Sequence, residues 1–421
     1  MLEKLRGLWV IPELRQRFLF TLLLIFVVRL GTHITLPGVD IDAMTQSFSS
    51  EGLLGFVDLF SGGALSRFSI FALGILPYIN ASIIMQLMMV VWPQLKEMAQ
   101  EGEGGRRQIA QYTRYGAIAV AVIQGLVMAI GFREVVQPDV NFFFFVIYAT
   151  AALAAGTALV MWISEIMTDR GLGNGASLLI FVGIVAQMPF YVSTTYKQVY
   201  GGLSWINVAA FLVVLLAMII GIVVMQEAER KILVQYAKRV VGRKMYGGQN
   251  TYIPMRLIQG GVLPIIFASA VLQFPVMLTS LFNSAPVNTF MSRYYNYNGL
   301  VYNLFFCFLI FFFSYFYTAI TFNPTEIADN IKKYGGFVVG VRLGKPTVDY
   351  FERIIGRLTL VGATALALIA LVPIVTANLT KITAFIGLGG TALLIMVGVA
   401  MDLLKNIAAH LVSRRYEGIL R

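Results

Sequence analysis

Cysteine and histidine are nearly absent from this sequence. Its 421 residues include one cysteine, Cys307, and two histidines, His33 and His410, which lie far apart. A single cysteine excludes intramolecular disulfides, and isolated histidines lack the ligand spacing of a metal site. We therefore expect no disulfide framework, no bound metal and no cofactor.

Charged residues are also scarce. They make up 13% of the chain, whereas hydrophobic residues make up 58%, and the mean hydropathy is +0.77. A soluble domain of this length has too little interior to bury so much apolar surface. Because lipid offers the backbone no hydrogen-bond partners, long apolar runs should be helices. The composition thus predicts an all-α polytopic membrane protein.

Ten apolar runs are long enough to cross the hydrocarbon core of a bilayer. They cover residues 18–36, 71–92, 115–132, 142–166, 176–196, 208–225, 262–282, 300–322, 358–375 and 382–404. The first run has full span length and no small-residue cleavage site, so we expect a retained helix rather than a signal peptide. We find no transit-peptide pattern and expect a bacterial plasma (inner) membrane.

Loop charge predicts the orientation. Ten spans put both termini on one side, and nearly all basic residues fall on that side. Of the 32 lysines and arginines, those that lie elsewhere are Arg29, Arg67, Arg133, Lys197, Arg293 and Lys381. The positive-inside rule makes the crowded side, here called the basic side, cytoplasmic, with both termini on it. Loss or gain of one span would destroy this bias.

Two connections on the basic side, residues 226–257 and 323–355, are longer than topology requires, and long connections tend to carry function. In the first, β-branched or aromatic residues alternate with basic ones around Gly247 and Gly248, which predicts a twisted hairpin. The charge either simply holds the loops inside or attracts an acidic partner, ribosomal RNA or anionic lipid. The residues that we expect to dock a partner are Arg239, Arg243, Lys244 and Arg342.

Residues 53–66, between the first two spans, are moderately apolar, rich in glycine and too short to cross a bilayer. Three structures fit this pattern: a surface loop, an interfacial helix or a re-entrant helix. Re-entrant backbone occurs at membrane depth only where protein or water surrounds it. A re-entrant helix here would imply a cavity that the segment blocks reversibly.

Few ionisable residues lie within the apolar runs, and all are towards span ends: Arg29, His33, Glu165 and Asp402. Ion-coupled transporters usually carry such groups at the midplane. The sequence has no complete phosphate-loop motif, and no Ser/His/Asp or paired-carboxylate arrangement at membrane depth. It therefore gives no indication of an enzyme.

Six stretches spread along almost the whole chain closely resemble the SecY family, in that family's order. They are DLFSGGALSRFSIFALGILPYINASIIMQL (residues 58–87), GEGGRRQIAQYTRYG (102–116), DRGLGNGASLLIFVGIVA (169–186), ERKILVQYAKRVVGRK with GGVLPIIFASAVLQFP (229–275), FNPTEIADNIKKYGGFVVGVRLGKPT (322–347) and GGTALLIMVGVAMD (389–402).

The resemblance implies a channel subunit that moves unfolded secretory polypeptides across the membrane and releases membrane helices sideways into the bilayer. It implies ten helices in two pseudo-symmetric halves, residues 1–200 and 201–421, around an hourglass pore. A ribosome or the SecA ATPase would drive this passive pore. SecE, often with SecG, would accompany it, and signal sequences, nascent chains and membrane lipids would contact it.

The family's central constriction corresponds to six residues here: Ile75, Ile79, Ala176, Ile180, Ile266 and Ile395. Aliphatic side chains offer water no hydrogen-bond partner, so a narrow ring of them would dewet and block ions. The family's re-entrant plug corresponds to Val57, Asp58, Leu59, Phe60, Ser61, Gly62, Gly63, Ala64, Leu65, Ser66 and Arg67. Ala176 departs from the bulkier aliphatic residue that is usual at its position.

The resemblance also places a lateral exit between the second and third spans on one side and the seventh and eighth on the other. The residues that we assign to this gate are Asn80, Gln86, Gln124 and Phe274. Membrane-buried amides hydrogen-bond across helices at roughly 0.6–2 kcal/mol each. For each amide taken singly, a role in packing the helix bundle is as well supported by the sequence as a role in the gate. At the position of Asn80 the family usually has a small residue.

The residues alone are also compatible with two other classes of protein. A solute transporter would need an ionisable site at the midplane and a selective pocket. A membrane scaffold or insertase without a continuous pore would need no plug. The plug segment and the aliphatic ring argue against both.

Overall fold

The computed structural model of the chain describes residues 11–44, 58, 60–236, 239–241, 244–246, 250–282, 295, 299–382 and 389–417. A long helix lies at each of the ten predicted spans. These helices are α1 (Pro12–Gly31), α2 (Leu76–Val91), α4 (Glu103–Gly131), α5 (Phe142–Arg170), α6 (Gly175–Tyr200), α7 (Trp205–Glu227), α8 (Leu263–Phe282), α9 (Leu300–Thr321), α11 (Lys345–Thr380) and α12 (Gly389–Glu417).

Two short helices with complete bounds lie between these in the described ranges, α3 (Pro93–Gln100) and α10 (Pro324–Lys333). The axis of α3 is bent by 104° from that of α2. In the described part of the chain, 7 helices are by themselves long and apolar enough to cross a membrane, and 8 if α2 and α3 count as one. The remaining two, α1 and α8, have 20 residues each and coincide with the first and seventh predicted spans.

Hydropathy misplaces two helix ends on the side opposite the basic loops. α1 ends at Gly31 rather than at residue 36, and Thr35 instead pairs with Ser69 in an isolated β-bridge. α2 begins at Leu76 rather than at residue 71, because the backbone before it runs in turns and Gly74 has a φ of 54°. Apolar residues continue past both helix ends, so the hydropathy does not register the breaks.

On the basic side two helices extend far beyond their apolar runs. α4 begins at Glu103, whereas its apolar run begins at residue 115. α11 begins at Lys345, whereas its run begins at residue 358. At 1.5 Å per residue these extensions are each about 18 Å long. The two helices therefore continue from the membrane into the basic side.

The first five long helices and the last five touch along two seams. Only a short connection separates the two sets, since α6 ends at Tyr200 and α7 begins at Trp205. At one seam α8 packs against α2 and α4, and at the other α12 packs against α6. The largest hydrophobic cluster contains residues from both sets and therefore lies between the seams.

The predicted hairpin in the first long connection is confirmed. Strands β1 (Glu229–Tyr236) and β4 (Asn250–Arg256) pair antiparallel, with Ile232 opposite Ile253. Between them, β2 (Arg239–Val241) pairs with β3 (Lys244–Tyr246). Gly247 and Gly248, around which the turn was predicted, fall outside the described residues.

The second long connection joins this hairpin. Its strand β5 (Gly336–Val338) pairs antiparallel with β1, which makes a three-stranded sheet in the order β4–β1–β5. A hydrophobic core of its own holds this sheet against α10 and α11. The buried members of this core are Ile232, Val234, Met255, Ile331, Val338, Phe351, Ile354 and Ile355. We call the sheet with α10 and the start of α11 the platform.

The platform's core predicts a position-dependent effect of one substitution. Val338 is 3% exposed in that core, whereas its neighbour Val339 is 50% exposed. Val338→Ala removes two buried methyl groups and should destabilise the platform by about 2 kcal/mol. Local opening, and hence tryptic cleavage within residues 229–256, should become roughly thirtyfold faster. Val339→Ala is the matched control, and equal cleavage of the two variants would disprove the β5 pairing.

Candidate pore and plug site

Five of the six predicted ring residues are buried in the largest hydrophobic cluster: Ile75, Ile79, Ile180, Ile266 and Ile395. The sixth, Ala176, is partly buried and packs against the same cluster. These residues lie on α6, α8 and α12 and at the start of α2, the helices through which the two sets of five touch. Tertiary packing thus brings together aliphatic side chains that are far apart in sequence.

The plug segment folds back between α1 and α2 into the helix bundle. Asp58 and residues 60–67 are described, whereas Val57 and Leu59 are outside the described residues. Phe60 is 5% exposed and belongs to the same cluster as the ring isoleucines. Residues 61–65 are buried, and Arg67 is exposed. The segment is therefore neither a surface loop nor an interfacial helix.

A buried carboxylate organises the plug from within. Asp58 Oδ1 accepts hydrogen bonds from Ser61 Oγ at 3.0 Å, from the Leu65 amide at 2.9 Å and from the Ser66 amide at 3.0 Å. Hydrogen bonds to a charged acceptor are stronger than those between neutral groups. The short segment therefore has a defined shape of its own without a long helix.

Two side chains from neighbouring helices form hydrogen bonds with the plug. Arg29 Nη1, on α1, donates to the Gly62 carbonyl oxygen at 2.7 Å, and Gln187 Nε2, on α6, donates to Asp58 Oδ2 at 3.4 Å. An ionisable residue inside a span signals function, and by that signal Arg29 could have been assigned to the plug from sequence. Gln187 carries no comparable signal.

Helix α6 sets the order of ring and plug along the pore. From its basic-side end, α6 presents Ala176 and Ile180 to the cluster, then Gly183 and Gln187 to the plug. A Cβ at Gly183 would lie 3.2 Å from the Phe60 carbonyl oxygen and 3.4 Å from the Gly62 nitrogen. Since one turn rises 5.4 Å, the plug lies about one turn beyond the ring, away from the basic side.

The ionisable groups of the fourth span are engaged in packing rather than arranged as a transport site. Glu165 Oε1, on α5, accepts a hydrogen bond from Arg114 Nε, on α4, at 2.6 Å. This ion pair joins neighbouring helices near the basic side. Within the described ranges no cluster of three or more His, Cys, Asp or Glu side chains has the geometry to hold a metal ion.

The predicted gate amides do not share one environment. Gln86 Nε2 donates to Ser82 Oγ of its own helix at 3.4 Å, and Asn80 is half-buried. Gln124 is buried, and Ala121 and Met128, one turn to either side of it, pack into a cluster with α5 rather than α8. This placement favours bundle packing for Gln124. The side chain of Phe274 is outside the described part.

The predicted docking residues that the structure describes lie on the two long connections that the platform joins. Arg342 is exposed on the turn before α11, where its carbonyl oxygen accepts a hydrogen bond from Thr347 Oγ1 at 2.7 Å. Arg239 and Lys244 lie on the inner hairpin, but their side chains, and all of Arg243, are outside the described residues. The β1–β5 pairing joins these two segments, which sequence reasoning treated separately.

The fold is similar to that of structures solved as protein-conducting channels. One solved structure, described as a protein-conducting channel, matches with a TM-score of 0.66 and 15% identity, covering 94% of this chain and 92% of that one. Sec61 in a canine ribosome–channel complex from the endoplasmic reticulum matches with a TM-score of 0.63 and 15% identity, with the same coverage. These likenesses confirm the predicted fold class.

Sequence comparison then identifies the family. The SecY family model matches residues 69–404. The protein translocase subunit SecY of Thermus thermophilus is 45% identical, covering 97% of this chain and 95% of its own length. That of Thermotoga maritima is 41% identical, covering 100% and 98%. The chain belongs to the SecY family.

The close contact at Gly183 predicts a substitution that displaces the plug. Gly183→Val adds three carbon atoms where a single Cβ already meets the plug backbone, so the closed position should be lost in a large fraction of molecules. Ion conductance of the variant in planar bilayers should rise well above wild type. Gly221→Val is the matched control, because a Cβ at Gly221 on α7 would meet nothing within 4 Å. Wild-type conductance for Gly183→Val would contradict the described docking of the plug.

Proposed function

We propose that this chain is the central subunit of a polypeptide channel. It passes unfolded secretory chains across the membrane and releases apolar helices sideways into lipid. The observation that carries this proposal is the arrangement in series of an aliphatic ring and a re-entrant plug whose Phe60 joins the same cluster. A passive pore of this kind needs no catalytic group, since a partner supplies the driving force.

An aliphatic ring suits a channel that must admit any sequence. It gives water no hydrogen-bond partner, so the closed ring dewets and excludes ions. Nothing covalent or polar holds it shut, so a passing chain of any composition can separate the side chains. Five of the six ring residues are buried among hydrophobic neighbours from both sets of helices, which supports this role.

The ring's mechanism predicts the outcome of polar substitution. Ile79→Ser combined with Ile266→Ser should wet the constriction and leak small ions, whereas Ile79→Leu should be nearly silent because bulk and hydrophobicity are kept. Ile84→Ser with Val271→Ser is the matched control, since both residues are exposed on the same two helices. Conductance in planar bilayers is measured with the plug residues 60–66 deleted in each variant. A doubly polar ring that stays as tight as the control would refute the seal.

We place the lateral exit at the seam between α8 and the pair α2 and α4. These helices pack directly against one another, and Leu87 on α2 reaches the central cluster from this side. Opening the seam would connect the ring to lipid without disturbing the second seam, between α6 and α12. A signal sequence, being an apolar helix, would replace the contacts that the seam loses.

The platform is the proposed landing site for a motor or a ribosome. Two basic connections converge there on one sheet, which a topological role alone would not require. The similar Sec61 structure was solved with a ribosome. We propose that the SecA ATPase, ribosomal RNA and ribosomal proteins dock at this surface. We also propose SecE and SecG as companion subunits in a bacterial inner membrane, with both termini of the chain cytoplasmic.

Reversal of one charge next to the platform should impair the docking of a partner and leave the folding of the channel unchanged. Arg342→Glu replaces an exposed guanidinium, able to bind carboxylate or phosphate in a bidentate manner, with a repelling group. Motor-stimulated translocation into vesicles should fall severalfold, while the amount of channel inserted in the membrane stays normal. Lys197→Glu, exposed near the opposite end of α6, is the control. Unchanged translocation by Arg342→Glu would exclude this residue from docking.

A further inference from the structure

Phe68, the residue directly after the plug, has a backbone conformation that is rare for its type. Its φ is 45°, in the left-handed region that is strained for a bulky residue with a Cβ. In the described ranges one other non-glycine residue, Lys381 at the end of α11, has a positive φ. Such strain persists only where the surroundings hold the residue, and it clusters at segments that switch. The contacts of Phe68 therefore outweigh a local cost.

An aromatic pocket holds the ring of Phe68. The residue is 1% exposed. Its ring centroid lies 5.9 Å from that of Phe132, just after α4, and 6.1 Å from that of Phe145, on α5. Aromatic pairs at such distances stabilise beyond the area that they bury. Both partners belong to the first five helices, and the hydrophobic cluster of this pocket is separate from the central cluster that holds Phe60.

The chain from Phe68 onward is also fixed through its backbone. The Leu36 amide donates to the Phe68 carbonyl oxygen at 3.1 Å, and the Ile70 amide donates to the Ile34 carbonyl oxygen at 3.0 Å. On the other side, a Cβ at Gly156 on α5 would collide with the Ile70 carbonyl group. The chain after the plug is thus clamped between α5 and the segment that follows α1.

The plug is joined to this clamped chain by hydrogen bonds that a rotation at Phe68 would break. The amides of Phe68 and Ser69 donate to the carbonyl oxygens of Leu65 and Ala64, both at 2.9 Å. A backbone hydrogen bond contributes little net stability where water or another chain can replace its partner. Rotation about φ and ψ of Phe68 would also relieve the left-handed strain, while the ring stays in its pocket.

We propose that Phe68 is the fixed pivot of the plug, a positioning residue about which Asp58 and residues 60–67 swing as one body. The inference rests on the proposed function, since it concerns how the plug of that channel moves. The aromatic pocket keeps the pivot in place, so that the plug returns to the same seat after each passage. Release of the strained backbone favours the outward swing.

Two buried alanines distinguish a swinging segment from a fixed one. Ala64, in the plug, is 0% exposed, and Ala72, beyond the pivot, is 1% exposed. Each is replaced by cysteine, singly, in a Cys307→Ser channel, and a membrane-impermeant maleimide is added outside spheroplasts. While a stalled secretory chain holds the channel open, Ala64→Cys should react roughly tenfold faster than in the resting channel. Ala72→Cys should keep its resting rate.

Substitutions in the pocket test the anchor and the strain. Phe145→Leu keeps an apolar side chain but removes one aromatic wall, so Ala64→Cys should react severalfold faster in the resting channel. Phe144→Leu is the matched control, because Phe144 is 64% exposed on the same helix. Phe68→Gly should protect Ala64→Cys better than Phe68→Ala does. Both lack the ring, but glycine adopts the left-handed backbone without strain, whereas a purely structural role would favour alanine.

Four outcomes would overturn the pivot. Labelling of both cysteines in the stalled channel would show that the clamped chain moves with the plug. Equal rates for Phe145→Leu and Phe144→Leu would exclude the aromatic pocket as the anchor. Better protection by Phe68→Ala than by Phe68→Gly would mean that the closed plug holds no strain at this residue. Labelling of neither cysteine, with a chain trapped in the pore, would overturn the proposed role of the plug as well.

Discussion

The burial of Phe60 of the plug in the hydrophobic cluster that also holds the ring isoleucines is the interaction on which the remaining arrangement depends. It is a hydrophobic contact whose strength scales with the area removed from water, about 25 cal/mol per Å². Such a contact has no preferred direction, so no bond must be broken before it yields. A polypeptide or signal sequence that offers similar apolar area can replace it at little net cost.

Polar bonds are concentrated inside the plug rather than between the plug and its walls. Asp58 receives its shortest hydrogen bonds from Ser61, Leu65 and Ser66 of the same segment. Arg29 and Gln187 add tethers from outside, and each hydrogen bond to a charged group contributes roughly 1.5–3 kcal/mol. The plug can therefore move as a preformed body, held closed by a few kcal/mol, which is the range that a bound partner can offset.

The platform is coupled mechanically to the last five helices. β1 follows directly on α7, β4 leads into α8, and α11 rises from the platform's core. An ion pair between Lys405 and Glu227, 3.1 Å long, further joins α12 to the end of α7. A partner that displaces the platform would therefore move α8 and α12 together. These two helices form both seams with the first five, which links docking on the basic side to the pore.

Sequence by itself determined the helical spans, the basic side, the hairpin and the family, because each depends on local composition, on the period of apolar residues or on motifs within one segment. Resemblance to the family also predicted which residues form the plug and the ring. Only the tertiary structure decided which residues meet: Phe60 with Gly183, Gln187 with Asp58, and Val338 with Val234 across the β1–β5 pairing. It also moved the ends of α1 and α2, since those breaks depend on the Thr35–Ser69 bridge between distant segments. Hydropathy measures the preference of a segment for lipid, whereas closure of the pore depends on pairwise contacts between segments, and these exist only once the chain has folded.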